Sequence, residues 1–533
     1  MEQPIEILII GAGTTGLTLA NDLARRGVPF KIIDAKSGPT KDSKGLALNI
    51  SSQHGLNLIG VEQKIGASSK HIQRLNIHWE NKRYSSINFN QLDGDIRYLM
   101  TQPQSVTEEE LLQSLSAQGH QVHWAHKLDE IKENKDNVYV TISKGEQVLE
   151  ESFRYVVGCD GKHSKVREHL NCNFDGFDYD MYFVLGDFTL DLNIKDTEVQ
   201  YYVYPDTFFI IVPIGENKWR IVAKYDGEVP TEPPSEQEIE SIIARHFGKA
   251  FSLGKAKWIS RAPFYSRVAD KIVSKRTFIA GDAAHLFSPI GGTGMNTGLQ
   301  DAFNLGWKLS AVYHKLSEES LLKSYEHERL PAIKAAAQVS ELSTELITRK
   351  LTEHPIISQL SPKLENRAYL RDISPRAHSG MAQKLPLPND DTVEQNNLGC
   401  YCPVITYLAH NKRLFSDKFD APTLWCLVPI TWLNRSKTEL NKLRDKIFQY
   451  PKAQVIYFQF NEAVNESYAI ETQRECIAQL PQSIIKQAAS NETITVVRPD
   501  GMIMYESNNH ELYGLEQAIN NNLKPLQTIQ SVS

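Results

Sequence analysis

A chain of 533 residues is too long for one hydrophobic core and divides into roughly two to four domains of ordinary size. With 41% hydrophobic and 23% charged residues and a formal net charge of -6, it reads as globular, and nothing in that balance is built for nucleic acid. Six cysteines without a CxxC pair exclude a disulfide scaffold and a zinc module, and no apolar run reaches the ~18 residues a membrane helix needs.

In chain order, residues 5–10 form a continuous apolar run, as in a strand buried on both faces, and it ends in Gly11, Gly13 and Gly16. Helical spacing follows over 17–26, and 28–34, "VPFKIID", is a second strand, so the chain opens with a βαβ unit. Glu2 and Glu6 ahead of the first strand are unlike a signal peptide, which starts with positive charge, and a reducing cytoplasm is the expected compartment. The first glycine permits a tight turn, the second lets a phosphate approach the backbone, and the third lets helix pack on strand. Asp34 stands at the end of the second strand, where a carboxylate accepts from a ribose hydroxyl. These residues select an adenosine dinucleotide, FAD or NAD, and do not choose between them.

Further along, "IQRLNIHWENKRYSSINF", "VYVTISKGEQVLEESFRYVV" and "FFIIVPIGENKWRIVAKY" alternate in polarity and break at Asn or Gly, as antiparallel hairpins do. An α/β unit interrupted by such segments implies a nucleotide domain carrying an inserted sheet domain. Tyr201, Tyr202, Tyr204, Phe208 and Phe209 lie on the inserted sheet, either as ordinary core or, for those that alternation turns toward the cofactor, as a wall for an aromatic ligand. Residues 276–309, "RTFIAGDAAHLFSPIGGTGMNTGLQDAFNLGWKL", return to strand, loop and helix, the helix starting near Met295. A carboxylate at a strand end suits a ribityl hydroxyl, and a glycine-flanked helix N-terminus suits the electron-rich carbonyl of a reduced flavin. Residues 340–371 look helical, and "SPRAHSGMAQKLPLPNDD" marks a boundary before a last domain.

With these stretches in view the sequence resembles the class A flavoprotein monooxygenases of the para-hydroxybenzoate hydroxylase and phenol hydroxylase type, and most closely their aromatic-polyketide and rifampicin hydroxylase branch. The resemblance rests on GxGxxG, on "VVGCDGKHSKVR" at 156–167, on the "GD" stretch from Gly281 to Lys308, on "PQSVTEEELL", on "SYEHERLP" and on "VVRPDGMIMY". It implies an α/β fold: a Rossmann-type FAD-binding domain (1–75, 101–172 and 270–340), an inserted mixed β-sheet substrate domain (76–100 and 173–269), a helical connection (341–395) and a C-terminal thioredoxin-like domain (396–533).

As cofactor-binding residues it implies Gly11, Gly13, Thr15, Gly16, Asp34, Ala35, Lys44, Gln104, Asp160, Gly281, Asp282, Pro289, Gly292, Gly294, Met295 and Asn296, with no metal ligands and no assigned catalytic side chain. The implied reaction uses NADPH or NADH to reduce FAD, after which O2 adds at flavin C4a and the hydroperoxide hydroxylates an aromatic small molecule. A flavin reductase or dehydrogenase without oxygen insertion, or a non-catalytic FAD-binding homologue, shares the same motifs. A flavin halogenase is excluded, because no two of the seven tryptophans form WxW.

The sequence departs from the family at Lys44 and Ser51, where arginines are usual, and at Val106. His285 reads as a structural hydrogen-bonding group beside a glycine turn, Asp301 as a stabiliser of its helix, Trp307 as core, and Arg167 as either a phosphate ligand or a solvated cation. The last domain has only Cys400-Tyr401-Cys402, so it is expected to keep its shape without dithiol chemistry and to serve structure or a homodimer contact.

Overall fold

The computed structural model describes residues 6–40, 45–79, 81–92, 96–190, 194–204, 207–247 and 253–348, and beyond them 385, 400–402, 405, 424–429, 437–450, 453–460, 475–480, 493–507 and 514–523. The opening apolar run is the strand Ile7–Ile10, which pairs in parallel with Tyr155–Gly158 on one side and Phe30–Asp34 on the other. Val122–Trp124 and Thr277–Ile279 extend this layer in parallel, and Val273–Ser274 closes its edge as an antiparallel hairpin, for six strands in all. All four residues of Ile7–Ile10 are buried, which is what a strand covered on both faces requires.

Helices cover this sheet: α1 (Thr14–Arg25), α2 (Ile50–Leu58), α3 (Glu62–Ser68), α4 (Gln104–Ala117) and α5 (Lys165–Leu170). Further on, α6 (Glu236–Phe247) lies on the second sheet, and α7 (Thr293–Tyr313) and α8 (Ser324–Thr348) return to the first core. Helix α8 begins at Ser324, well ahead of the helix start that periodicity places near residue 340. Pro331 lies inside α8, and residues 349–371 of the expected helix fall outside the described residues. The hairpin at 138–153 joins Lys127–Glu133 in a separate three-stranded sheet rather than the large inserted one.

The inserted sheet has eight strands, antiparallel except where Glu198–Val203 runs parallel to Arg74–Trp79. Alternation divides its side chains. Tyr182, Val184, Tyr202, Tyr204, Phe209 and Ile221 pack under Ile239, Ile242 and Ile243 of α6. Phe183, Leu185, Val203, Phe208, Ile210 and Phe264 pack on the other face, with Leu46, Tyr98 and Ile290 of the first unit. A sheet covered on both faces is apolar on both, so the aromatic cluster splits between them. Tyr202, Tyr204 and Phe209 are core beneath α6, and Tyr201 and Phe208 face the nucleotide unit.

A third sheet, in the order Glu475–Leu480, Ala453–Phe460, Leu424–Pro429, Ile494–Val497, Ile503–Ser507, carries helices α9 (Lys437–Phe448) and α10 (Leu515–Leu523). Its first three strands are parallel and the last two antiparallel. Among the described residues no helix is long and apolar enough to cross a membrane.

Candidate functional site

In open parallel sheets ligands gather outside the carboxyl ends of the strands. Four adjacent strands end here in the order Thr277–Ile279, Tyr155–Gly158, Ile7–Ile10, Phe30–Asp34. The residues just beyond them are Gly281 and Asp282, then Asp160, then Gly11 to Gly16, then Asp34. At roughly 4.8 Å between strands, this row is about 14 Å across. Three motifs far apart in sequence thus become neighbours because parallel pairing brings their strand ends together.

Close packing of glycines fixes the row. A Cβ on Gly11, whose φ is +103°, would collide with the Cys159 carbonyl, which joins the first motif to the second. One on Gly16 would collide with the Gly11 carbonyl, so the turn folds back against its own helix. Cβ atoms on Gly281 and Gly298 would each reach 2.5 Å from Thr15 Oγ1, so the Thr15 side chain is the contact that seats α1 on the third motif. Gly13, Gly291 and Gly294 differ, since a Cβ there would meet no atom closer than 3.8 Å. Gly292, with φ of +64°, precedes α7 as Gly13 precedes α1, and neither brings a side chain to cap the first turn. Of these two buried helices of 12 and 21 residues, α7 aims an uncapped N-terminus and its partial positive charge at this region, while the first turn of α1 is held by the carboxylate of Glu108.

The carboxylates of the row differ in what they hold. Asp34 accepts from Ala12 N through Oδ2 and from Lys36 N through Oδ1, each at 2.8 Å, and each oxygen keeps a further lone pair for a ribose hydroxyl. Asp160 is engaged locally: it accepts from Ser164 Oγ at 2.5 Å and from the backbone of Lys165 and Val166, which caps α5. Burial pushes its carboxyl up, against those hydrogen bonds. Asp282 is accessible to solvent yet walled by protein, and this enclosure pushes its carboxyl up despite the opposing pull of His285.

His285 has no exposed surface; it shares a hydrogen bond between Nε2 and Asp301 Oδ2 at 2.9 Å, and Nδ1 is without a partner. Asp301 also accepts from Gly281 N and from Arg329 Nε at 2.8 Å. Burial would raise its carboxyl, but Arg329 and His285 hold it below the ordinary value. His285 and Asp301 are thus structural, tying the "GD" turn to α7 and α8, as their positions suggested. Arg167 is not a free, solvated cation. Its guanidinium donates to the carbonyls of Ala283 and Lys162 and lies over the Phe174 ring, bridging the second and third motifs.

Of the remaining expected residues, Asn296 spends its amide on the chain: Oδ1 accepts from Asn49 N, and Nδ2 donates to Ala47 O and Gly292 O. Gln104 donates to Glu108 Oε1 at 2.8 Å. The same oxygen accepts from Thr14 N and Oγ1 in the first turn of α1. Glu108 was missed in the sequence, although its place four residues after Gln104 on one helix was a signal. Ala35 and Pro289 are exposed at the rim, Met295 packs partly buried against the core, and Lys44 lies outside the described residues.

Strand order, the glycine row and two helix N-termini define a dinucleotide-binding α/β protein. The chain belongs to the FAD binding domain family, which matches residues 4–340. It is 31% identical over 355 residues to the rifampicin monooxygenase of Streptomyces venezuelae, covering 64% of this chain and 72% of that one. It is 28% identical over 454 residues to the pentachlorophenol 4-monooxygenase of Sphingobium chlorophenolicum, covering 83% and 82%. The anhydrotetracycline hydroxylase of Streptomyces rimosus shares the fold, with a TM-score of 0.73 at 22% identity over 98% and 99% of the two chains. This protein is a flavoprotein monooxygenase with FAD as its cofactor.

Proposed function

We propose that FAD lies along the glycine row, its adenosine ribose at Asp34, its pyrophosphate at the Gly11–Gly16 turn before α1, its ribityl chain at Asp282, and its ring against the loop from Pro289 to Asn296. The observation that carries this reading is the spatial order of the motifs, which runs from a ribose acid through a phosphate turn to a glycine-lined helix start, the order of the parts of FAD itself. Gly13 and Gly294 are the positions whose missing side chains leave the backbone approachable. Residues 1–75, 101–172 and 270–340 would form this unit, and the sheet of 76–100 and 173–269 the substrate wall.

FAD, when bound, supplies two-electron chemistry with NAD(P)H and the activation of O2 that no side chain can perform. The chain binds, orients and excludes water. The N-terminus of α7 stabilises negative charge on the reduced ring, and the apolar face bearing Phe183, Phe208, Ile210 and Phe264 opposes Ile290 of the same loop. An aromatic molecule of the phenol or polyketide class fits that wall, in keeping with the names of the rifampicin and pentachlorophenol enzymes. The strand order of the C-terminal unit, three parallel strands followed by an antiparallel pair, supports a thioredoxin-like shape without a CxxC.

The test is the absorbance spectrum of purified protein, then NADPH and NADH oxidation in air with a panel of phenols and aromatic polyketides. A yellow protein whose ligand speeds oxidation and gains 16 mass units supports the reading. A protein that takes up no FAD overturns the cofactor placement, and one that takes it up and oxidises NADPH with no product gaining oxygen reassigns it to the reductases.

A further inference from the structure

Helix α7 carries, at i, i+4, i+8 and i+11/12, the residues Asn296, Gln300, Asn304, Trp307 and Lys308, all buried and all on one stripe. Asn296 holds the loop at the helix start. The rest of the stripe meets groups from the C-terminal unit and α8. The Tyr401 hydroxyl donates to Gln300 Oε1. Asp500 accepts from Trp307 Nε1 at 3.1 Å. Arg498 grips both oxygens of Glu328 at 3.0 and 2.8 Å, and Glu328 pairs with Lys308 at 3.1 Å. Arg498 and Lys308 are fully buried, Glu328 is 1% exposed and Asp500 3%. The four charges cancel.

We propose that Tyr401, together with the turn from Arg498 to Met502, is a positioning element for the flavin loop: it clamps α2 and α7 to each other from behind and so fixes where Gly291 to Asn296 stands against FAD. Three observations meet at Tyr401. Its ring lies beside His54 of α2, 5.9 Å between centroids, and beside the Gly501 turn. Its hydroxyl donates to Gln300 of α7. Both helices also meet at their front, where Asn296 of α7 bonds the backbone of Asn49, the N-cap of α2. A shift at the back of this pair is carried rigidly to the front, because helices in a packed core move as bodies.

The inference rests on the FAD placement above, and its test separates the two. Tyr401→Phe keeps the ring and removes the hydroxyl link to Gln300. Leu443→Ala, at a buried site of α9, which packs on Ala453–Phe460, is the control for stability alone. FAD affinity is read by flavin fluorescence titration, and NADPH oxidation in air is measured at saturating FAD. Tyr401→Phe is expected to weaken FAD binding by about tenfold and to lower kcat by about tenfold with KM for NADPH unchanged, since small misplacements near reacting atoms cost rate. Leu443→Ala is expected to lower Tm and leave both readings at wild type. Gln300→Ala, which removes the acceptor of that hydrogen bond, should reproduce Tyr401→Phe, and the double variant should add little. If Tyr401→Phe binds FAD and turns over as wild type does, whatever its Tm, the positioning role is overturned. If wild type binds no FAD, the cofactor placement itself has failed and this inference goes with it; FAD binding without NADPH oxidation leaves the affinity arm to decide.

Discussion

Helices α1 and α7 both start behind a glycine and both aim at the cofactor row, yet their glycines do opposite work. At α1, Gly11 and Gly16 are consumed by packing, against the Cys159 carbonyl and the turn's own backbone, and only Gly13 faces outward. At α7 the proportions reverse: Gly291 and Gly294 have room around them, Gly292 takes the left-handed turn, and Gly298 alone is pressed against Thr15 and Gly281. The first turn is therefore a structural joint with one approachable residue. The second is a cradle with one structural joint. Close glycine contacts join the two helices, at Gly298 against Thr15 and at Gly306 against Asp22, and α7 is held in addition by buried charge.

The largest expected effect tests that charge. Arg329→Met leaves the Asp301 carboxylate buried with only hydrogen bonds from His285 and the Gly281 amide, and losing one partner of a buried pair costs about 3–5 kcal/mol. The expected outcome is a protein that unfolds well below wild type or does not accumulate, read by thermal scanning. A Tm within a few degrees would show that α7 does not depend on its charged anchors.

Next comes the packing glycine. Gly16→Ala drives a Cβ into backbone that cannot step aside, for a loss on the order of 3 kcal/mol. Tm and FAD retention should fall together. Gly294→Ala sharpens the contrast. In α7 the added Cβ meets nothing, and alanine is the better helix former by ~1 kcal/mol, so Tm of the FAD-free protein should hold or rise. FAD affinity should fall all the same, by about tenfold, because the Cβ occupies the approach to the helix N-terminus. An alanine at 294 that leaves FAD affinity untouched would place the flavin elsewhere.

These contrasts mark what could be read in the sequence. The βαβ start, its helix and the ribose acid follow from apolar runs and glycine spacing, which are local properties, and the hairpins at 74–88 and 208–226 follow from alternation. Which glycine packs and which is approachable is not local: it depends on Cys159, Gly281 and Thr15, brought in by strand order. The same holds for Asp160, whose oxygens turn to α5, and for Arg167, which reaches the Ala283 carbonyl. Glu108 was within reach, one helical turn from Gln104. Tyr401 was not, because no spacing rule links a residue of the last unit to Gln300 in the first. The aromatic cluster was legible as strand, but its division between α6 and the cofactor side needed the register.

The smallest effect belongs to the opposite, amino ends of the same strands and serves as a control on the comparison. There Glu319 accepts from Tyr155 OH at 2.6 Å, from Arg154 at 2.7 Å and from Arg276 at 3.0 Å. Partial burial would raise its carboxyl, but these three donors outweigh it and hold the group at about 2 instead of 4.5. A carboxyl lowered in the folded state adds stability above its unfolded value and loses it as pH falls from about 4.5 toward 2. With its side chain 45% exposed, solvent screening limits that contribution to under ~1 kcal/mol. Glu319→Gln should therefore lie slightly below wild type in Tm at pH 6, with the gap closing as pH falls through that window and FAD affinity equal throughout. A gap independent of pH would assign the loss to the hydrogen-bond geometry of the glutamine. A change in FAD affinity would show that the two ends of the sheet are coupled, which their separation along the strands argues against.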